Sequence, residues 1–142
     1  MCHYYLENYP FAINRLLYAI EKDSANAMLF YTIGRSYVEM ERYKQAIPFY
    51  KKAATLDTTN ARYVYEAGMV YYSIPDDKNA IAMFELAAQR GWVQNADFYE
   101  NLAYSYMNTG NFIKATELLQ KSLEKRPYSV AVTYALAEAY YK

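Results

Sequence analysis

The sequence predicts an all-α fold, a right-handed superhelical solenoid of antiparallel helix pairs, and three observations lead there. Residues of matching size recur at a nearly constant interval: Gly34, Gly68, Ala103 and Ala137 are 34, 35 and 34 positions apart, and Tyr37, Tyr71, Tyr106 and Tyr140 repeat the same steps three residues later. A second series, Ala12, Ala46, Ala80 and Ala115, is followed four residues on by Leu16, Tyr50, Phe84 and Leu119. So many coincidences at one period mark an array of structural repeats. Within each period the apolar positions are helical. Phe30, Ile33, Gly34 and Tyr37 share one face, and Ala46, Tyr50 and Ala53 share a face of a second helix. Finally, four Gly and four Pro in 142 residues are too few for a turn-rich β-fold.

Each element follows from that register. Residues 1–26 form a half repeat, read as the tail of a first helix to about residue 8 and then a second helix, carrying Ala12, Leu16 and Ala19, to about Lys22. Residues 27–60, 61–94 and 96–129 form three full hairpins, and 130–142 supply a first helix without a partner. Asn26, Asn60, Asn95 and Ser129 recur just before the first helices, where a side-chain oxygen can accept from a free N–H of the first turn. Gly91 and Gly110 stand where helices should stop, and Pro75 with Asp76 marks the turn of the second hairpin. Pro48 falls in a helix interior, where a bend rather than a break is expected. One residue is inserted near Asn95.

A single hairpin cannot bury both faces, so each stacks on the next and a concave side results. Small residues beside large ones let the helices approach, with the ring filling the gap. A half repeat at each end suggests a fragment of a longer array, the alternative being a small protein whose terminal half-repeats serve as caps. The last helix carries Val130, Val132, Leu136 and Tyr140 with little polarity, which predicts end-to-end self-association through exposed terminal helices.

These motifs resemble the tetratricopeptide repeat, a helix–turn–helix unit of 34 residues. Phe30-x2-Ile33-Gly34-x2-Tyr37 with Ala46-x3-Tyr50 carries the likeness, as do Val64-x2-Ala67-Gly68-x2-Tyr71 with Ala80-x3-Phe84 and Tyr99-x2-Leu102-Ala103-x2-Tyr106 with Ala115-x3-Leu119 and Pro127. Thr58 and Trp92 replace the closing proline of that pattern, and Ser122 an alanine. The departures bear on the angle between units.

Composition excludes several classes of function. Fifteen basic and fifteen acidic residues leave no net charge, which argues against nucleic-acid binding and polybasic docking on membranes. The longest uncharged stretch, Asn101 to Ile113, falls short of the roughly 20 apolar residues of a membrane-spanning helix, so no membrane insertion is expected. Glu7, Arg15, Glu21, Lys22 and Asp23 interrupt any apolar signal segment, and the lone Cys2 gives no sign of an oxidising compartment, so the cytoplasm is the expected location. Cys2 and His3 are adjacent, about 100° apart on a helix, and make neither a nucleophile–base pair nor a zinc site. Glu117 and Glu124 are spaced as solvated charges. No catalytic residue, metal site or cofactor is expected, and no enzymatic activity.

The resemblance implies that the first helix of each hairpin lines a groove. The residues opposite its buried stripe are Tyr31, Arg35 and Val38; Tyr65, Met69 and Tyr72; Glu100, Tyr104 and Met107; and Tyr134, Glu138 and Tyr141. Six of the 19 tyrosines and two methionines fall on this face, residue types that bury large area while a phenol still hydrogen-bonds; the alternative is that these rings pack between neighbouring first helices or reflect a compositional bias. With aromatic side chains, Arg35, Arg62 and a few acids, the face is no lysine-rich clamp for a peptide carboxylate. It suits a protein or peptide partner, a segment with apolar and aromatic anchors. The expected function is a protein–protein interaction module. The alternatives are a dedicated chaperone for an exported or aggregation-prone protein, or a scaffold or sensor segment of a larger enzyme or regulator.

Overall fold

The computed structural model describes residues 2–142, with side chains from residue 8 onward. Eight helices follow one another: α1 (Cys2–Lys22), α2 (Ala27–Glu39), α3 (Tyr43–Leu56), α4 (Ala61–Ser73), α5 (Asp77–Gln89), α6 (Ala96–Asn108), α7 (Phe112–Lys125) and α8 (Val130–Tyr140). Each packs on its neighbours in the chain, most extensively within the hairpins α2–α3, α4–α5 and α6–α7. The result is an all-α solenoid.

The first helices begin where the sequence predicts. The side-chain oxygens of Asn26, Asn60, Asn95 and Ser129 accept from the backbone N–H groups of Met28, Arg62, Phe98 and Val132. Each satisfies one donor that the first turn leaves free. Among the second helices, Asp76 caps α5 and Asn111 caps α7, whereas Arg42 makes no side-chain cap to α3. Gly110 ends its helix at φ 86°, a region open to glycine, while Glu41 takes φ 58° in the turn of the first hairpin and carries a Cβ through the same strained region. Pro48 lies inside α3, which continues through it to Leu56. The inserted residue is absorbed in the linker between α5 and α6, residues 90–95, against 57–60 and 126–129 elsewhere.

The N-terminal segment differs from its expected division. The tail of a first helix and a separate second helix are one continuous α1, with Pro10 inside it. Residues 5–12 contain neither the Pro-Asp pair nor the glycine that separates the helices of the second and third hairpins. The side chains of Cys2 and His3 lie outside the described residues.

The core follows the predicted small–large pairing. A methyl group added at Gly34 would lie 3.2 Å from the ring of Tyr50, and one at Gly68 would lie 2.8 Å from the ring of Phe84. Ala103 and Leu119 are both fully buried in the third hairpin. Tyr71 is buried as a wedge at 7% exposure, but Tyr140, its counterpart on α8, is 63% exposed, with no second helix over it among the described residues. Among the described residues no helix is long and apolar enough to cross a membrane.

Candidate functional site

Tyr31, in the middle of α2, is 6% exposed. Its ring sits 5.7 Å from that of Tyr50 and 4.9 Å from that of Tyr63 on the next first helix. Its phenol donates to Glu66 Oε1 at 2.9 Å. One repeat later Tyr65 makes the matching link, its oxygen accepting from Asn101 Nδ2 at 3.1 Å. The partners are 35 and 36 positions away, so each tyrosine reaches the next first helix. The ring of Tyr65 also lies nearly parallel to Trp92, 4.3 Å between centroids, and 5.4 Å from Phe84. Both tyrosines therefore tie repeats together as well as facing the groove.

Between α2 and α4 these rings wall a cleft of about 650 Å³. Of the residues expected on the groove, Tyr31, Arg35, Val38, Tyr65 and Met69 line it. Tyr43, Tyr50, Glu66, Val70, Ser73 and Trp92 line it too, as do Glu39 and Arg62. Trp92 reaches the cleft from the linker after α5, at the position where the repeat pattern has its closing proline. A tryptophan at a place otherwise given to proline was the only signal of this in the sequence.

The other expected residues are not brought to this cleft. Tyr72, Tyr104 and Met107 are half-buried against the larger core cluster, and Glu100 accepts from the Tyr104 phenol at 3.0 Å. Tyr134 and Tyr141 are 73% and 91% exposed, and Glu138 is exposed. Among the described residues no further repeat packs on α8, and these three side chains stand on an open face.

Burial and nearby carboxylates keep the groove phenols neutral. Burial pushes the Tyr31 phenol up, helped by its hydrogen bond to Glu66. Burial likewise raises Tyr50, Tyr65 and Tyr72, and takes Tyr104, beside Glu100, up to about 12. The Arg35 guanidinium is held further on the charged side, chiefly by Tyr31 and then by Glu66. At neutral pH the cleft thus presents uncharged aromatic walls, with Arg35 and Arg62 set against Glu39 and Glu66. Among the described residues no group of three or more His, Cys, Asp or Glu is placed to hold a metal ion.

A stack of helical hairpins with a ring-lined cleft defines, by class, a helical-repeat scaffold. Residues 27–60 and 96–126 each match a family model described as a tetratricopeptide repeat, and the chain is a tetratricopeptide-repeat protein. Over 46 residues, 32% of this chain, it is 39% identical to a general transcriptional corepressor, trfA, of Dictyostelium discoideum, but it spans only 3% of that protein's length. Among solved structures, MamA matches with a TM-score of 0.83 at 25% identity over 94% of this chain and 78% of that one. YrrB, described as a tetratricopeptide-repeat protein with an unusual peptide-binding site, matches with a TM-score of 0.74 at 25% identity over 87% of this chain and 63% of that one. The first such domain of Spaghetti (RPAP3), bound to an HSP90 peptide, shares the fold with a TM-score of 0.70 at 18% identity, over 80% of this chain and 89% of that one.

Proposed function

We propose that the concave face binds a segment of a partner protein in an aromatic-lined groove, with the cleft between α2 and α4 as its anchoring pocket. The observation that carries this reading is the cleft itself, about 650 Å³ walled by rings whose positions are already fixed by contacts within and between repeats. Such a volume accommodates one large apolar or aromatic side chain with its flanking backbone. Because the rings are held in place before binding, little rotamer freedom is lost when a partner arrives. Val38 and Met69, half-buried at the cleft, supply adaptable apolar contact. Arg35 and Arg62 opposite Glu39 and Glu66 favour a segment whose flanks carry both signs of charge or neutral polar groups over a purely acidic one. YrrB, which has a peptide-binding site on the same kind of scaffold, is in keeping with this use of it.

A random peptide library selected on the immobilised chain tests the reading. The expected winners share an aromatic or large aliphatic anchor and lose at least tenfold in affinity to Val38→Asp/Met69→Asp, with the far-ultraviolet circular dichroism unchanged. Peptides that bind the double variant as well as the parent would place recognition elsewhere.

A further inference from the structure

The linkers that follow α3, α5 and α7 are not built alike. α3 and α7 end on Asp57 and Arg126, at φ −127° and −139°, and each of these N–H groups bonds back once into its helix, to Ala53 and Ser122. Thr58 and Pro127 come next. α5 ends otherwise. Gly91 takes φ 95°, its N–H donates to the Ala88 carbonyl at 3.0 Å, and the N–H of Trp92 reaches back to the Ala87 carbonyl at 2.9 Å. Two successive N–H groups folded over the last turn are the mark of a helix end that needs a left-handed residue. The other described residues at positive φ, Glu41, Pro75 and Gly110, all lie in turns within hairpins, so this one is peculiar to the linker between α5 and α6. A Cβ at Gly91 would meet no atom within 4 Å, so the glycine answers to the backbone angle and not to crowding.

That turn decides where Trp92 goes. The Arg90 guanidinium holds the start of the linker, donating to the Ala54 carbonyl of the preceding hairpin at 3.0 Å. Gly91 then reverses the chain, and the backbone bond from Trp92 to Ala87 fixes the residue whose ring lies on Tyr65 at 4.3 Å, within 14° of parallel. Among the described residues no other ring lies against Trp92. It is half-buried and borders both the cleft and a second hollow of about 490 Å³ at the linker edge. The indole is therefore a planar wall backed by Tyr65, set in place by one backbone angle.

We propose that Gly91 is the positioning residue that gives the cleft a preference for an aromatic anchor over an aliphatic one, acting through Trp92. The inference rests on the groove reading above and adds the chemistry of the anchor. A ring entering beside Trp92 extends the parallel pair of Tyr65 and Trp92, and a ring-on-ring contact is worth roughly two- to tenfold in affinity beyond the area it buries. A β-branched residue at position 91 disfavours the left-handed angle. The chain then leaves α5 as it leaves α3 and α7, and the bond from Trp92 to Ala87 is lost together with the placement of the ring.

The test uses a library-selected peptide synthesised twice, with Phe and with Leu at its anchor, so that the preference is read as a ratio of dissociation constants. Trp92 emission is the second readout. The parent should favour the Phe peptide roughly two- to tenfold. Gly91→Val should bring the ratio close to one and move the emission towards that of an exposed indole, with helicity kept. Gly91→Asn, which accepts left-handed angles, should preserve both. Gly110→Val is the matched control: φ is 86°, the N–H of Asn111 bonds back to Tyr106 at 2.9 Å, and a Cβ there would also meet no atom within 4 Å. That turn leads to no residue of the cleft, so its substitution should lower stability and leave ratio and emission as they are. In a Trp92→Leu background Gly91→Val should lower the ratio no further. Should Gly91→Val not fold, Gly91→Ala should move both readouts in the same direction. An unchanged ratio or emission in the position-91 variant overturns the proposal, as does an equal loss in Gly110→Val. A parent that binds both peptides equally refutes this inference alone, whereas a cleft that binds no peptide refutes the groove reading beneath it.

Discussion

Gly68→Ala puts the small–large pairing to its sharpest test. The added methyl would lie 2.8 Å from two ring carbons of Phe84 and 3.3 Å from the Met83 Cβ, where carbon atoms normally rest about 3.5–4.0 Å apart. Phe84 has 0% exposure, and its ring is also held against Tyr65 at 5.4 Å, so it has no free direction in which to yield. Overpacking of this kind costs about 1–3 kcal/mol, against a gain of about 1 kcal/mol from replacing glycine inside a helix. The expected net effect is a loss of about 0–2 kcal/mol. Gly34→Ala should behave differently, since its methyl would lie 3.2–3.4 Å from Tyr50 and a shift of a few tenths of an ångström relieves it. There the helix preference should dominate, leaving the protein as stable as the parent or up to about 1 kcal/mol more so. Adding Phe84→Leu to Gly68→Ala recreates the Ala103/Leu119 pair of the third hairpin, and the two changes should couple favourably by about 1 kcal/mol or more. Urea unfolding followed by far-ultraviolet circular dichroism reads each variant, Phe84→Leu alone included, against the parent. Stabilisation by Gly68→Ala alone, with no coupling to Phe84→Leu, would refute the steric reasoning.

Two further predictions use other features of the interior. Ser105 has a fully buried Oγ with no hydrogen-bond partner among the described residues, while Ser122 Oγ donates to the Ala96 carbonyl at 3.0 Å. In the same unfolding assay Ser105→Ala should therefore raise stability by about 1 kcal/mol and Ser122→Ala lower it by about as much. The Tyr104 and Tyr106 phenols, raised by burial and by hydrogen bonds to Glu100 and Glu85, ionise at about 12 instead of 10.0. The folded state thus holds these protons longer than the unfolded chain, so the stabilisation is whole below pH 10 and lost as pH climbs towards 12. Absorbance at about 295 nm, which reports tyrosinate, should show a late component that Tyr104→Phe and Tyr106→Phe reduce; a single transition at the ordinary tyrosine pKa would contradict it.

The repeat was legible because its demands are local and recur. A glycine or alanine needs a ring or a leucine across the hairpin, a first turn needs a capping oxygen, and both leave their mark every 34 or 35 residues. The cleft was legible only in part. Helical spacing places Tyr31 and Tyr65 on a face, but whether that face looks into open space or onto the neighbouring first helix depends on how hairpins stack. Stacking brings Glu66 to Tyr31 and Asn101 to Tyr65, at separations that no single-helix pattern contains. Trp92 lies further from the pattern still, since it comes from a linker and acts by falling flat on Tyr65. Tyr65→Ala would remove that stacked pair as well as a wall of the cleft, so Val38 and Met69 are the better probes of binding. The continuous α1 shows the same limit from the other side: a register inferred from later repeats does not by itself divide a helix.

The fluorescence of Trp92 tests the central claim most directly. It is the single tryptophan of the chain, it lines the cleft, and its ring lies 4.3 Å from that of Tyr65. Titration with a library-selected peptide should shift or quench its emission with the same dissociation constant that calorimetry gives, and Val38→Asp/Met69→Asp should abolish both signals together. Calorimetric binding that leaves Trp92 unchanged, or that persists in the double variant, would contradict the assignment of the cleft as the binding site.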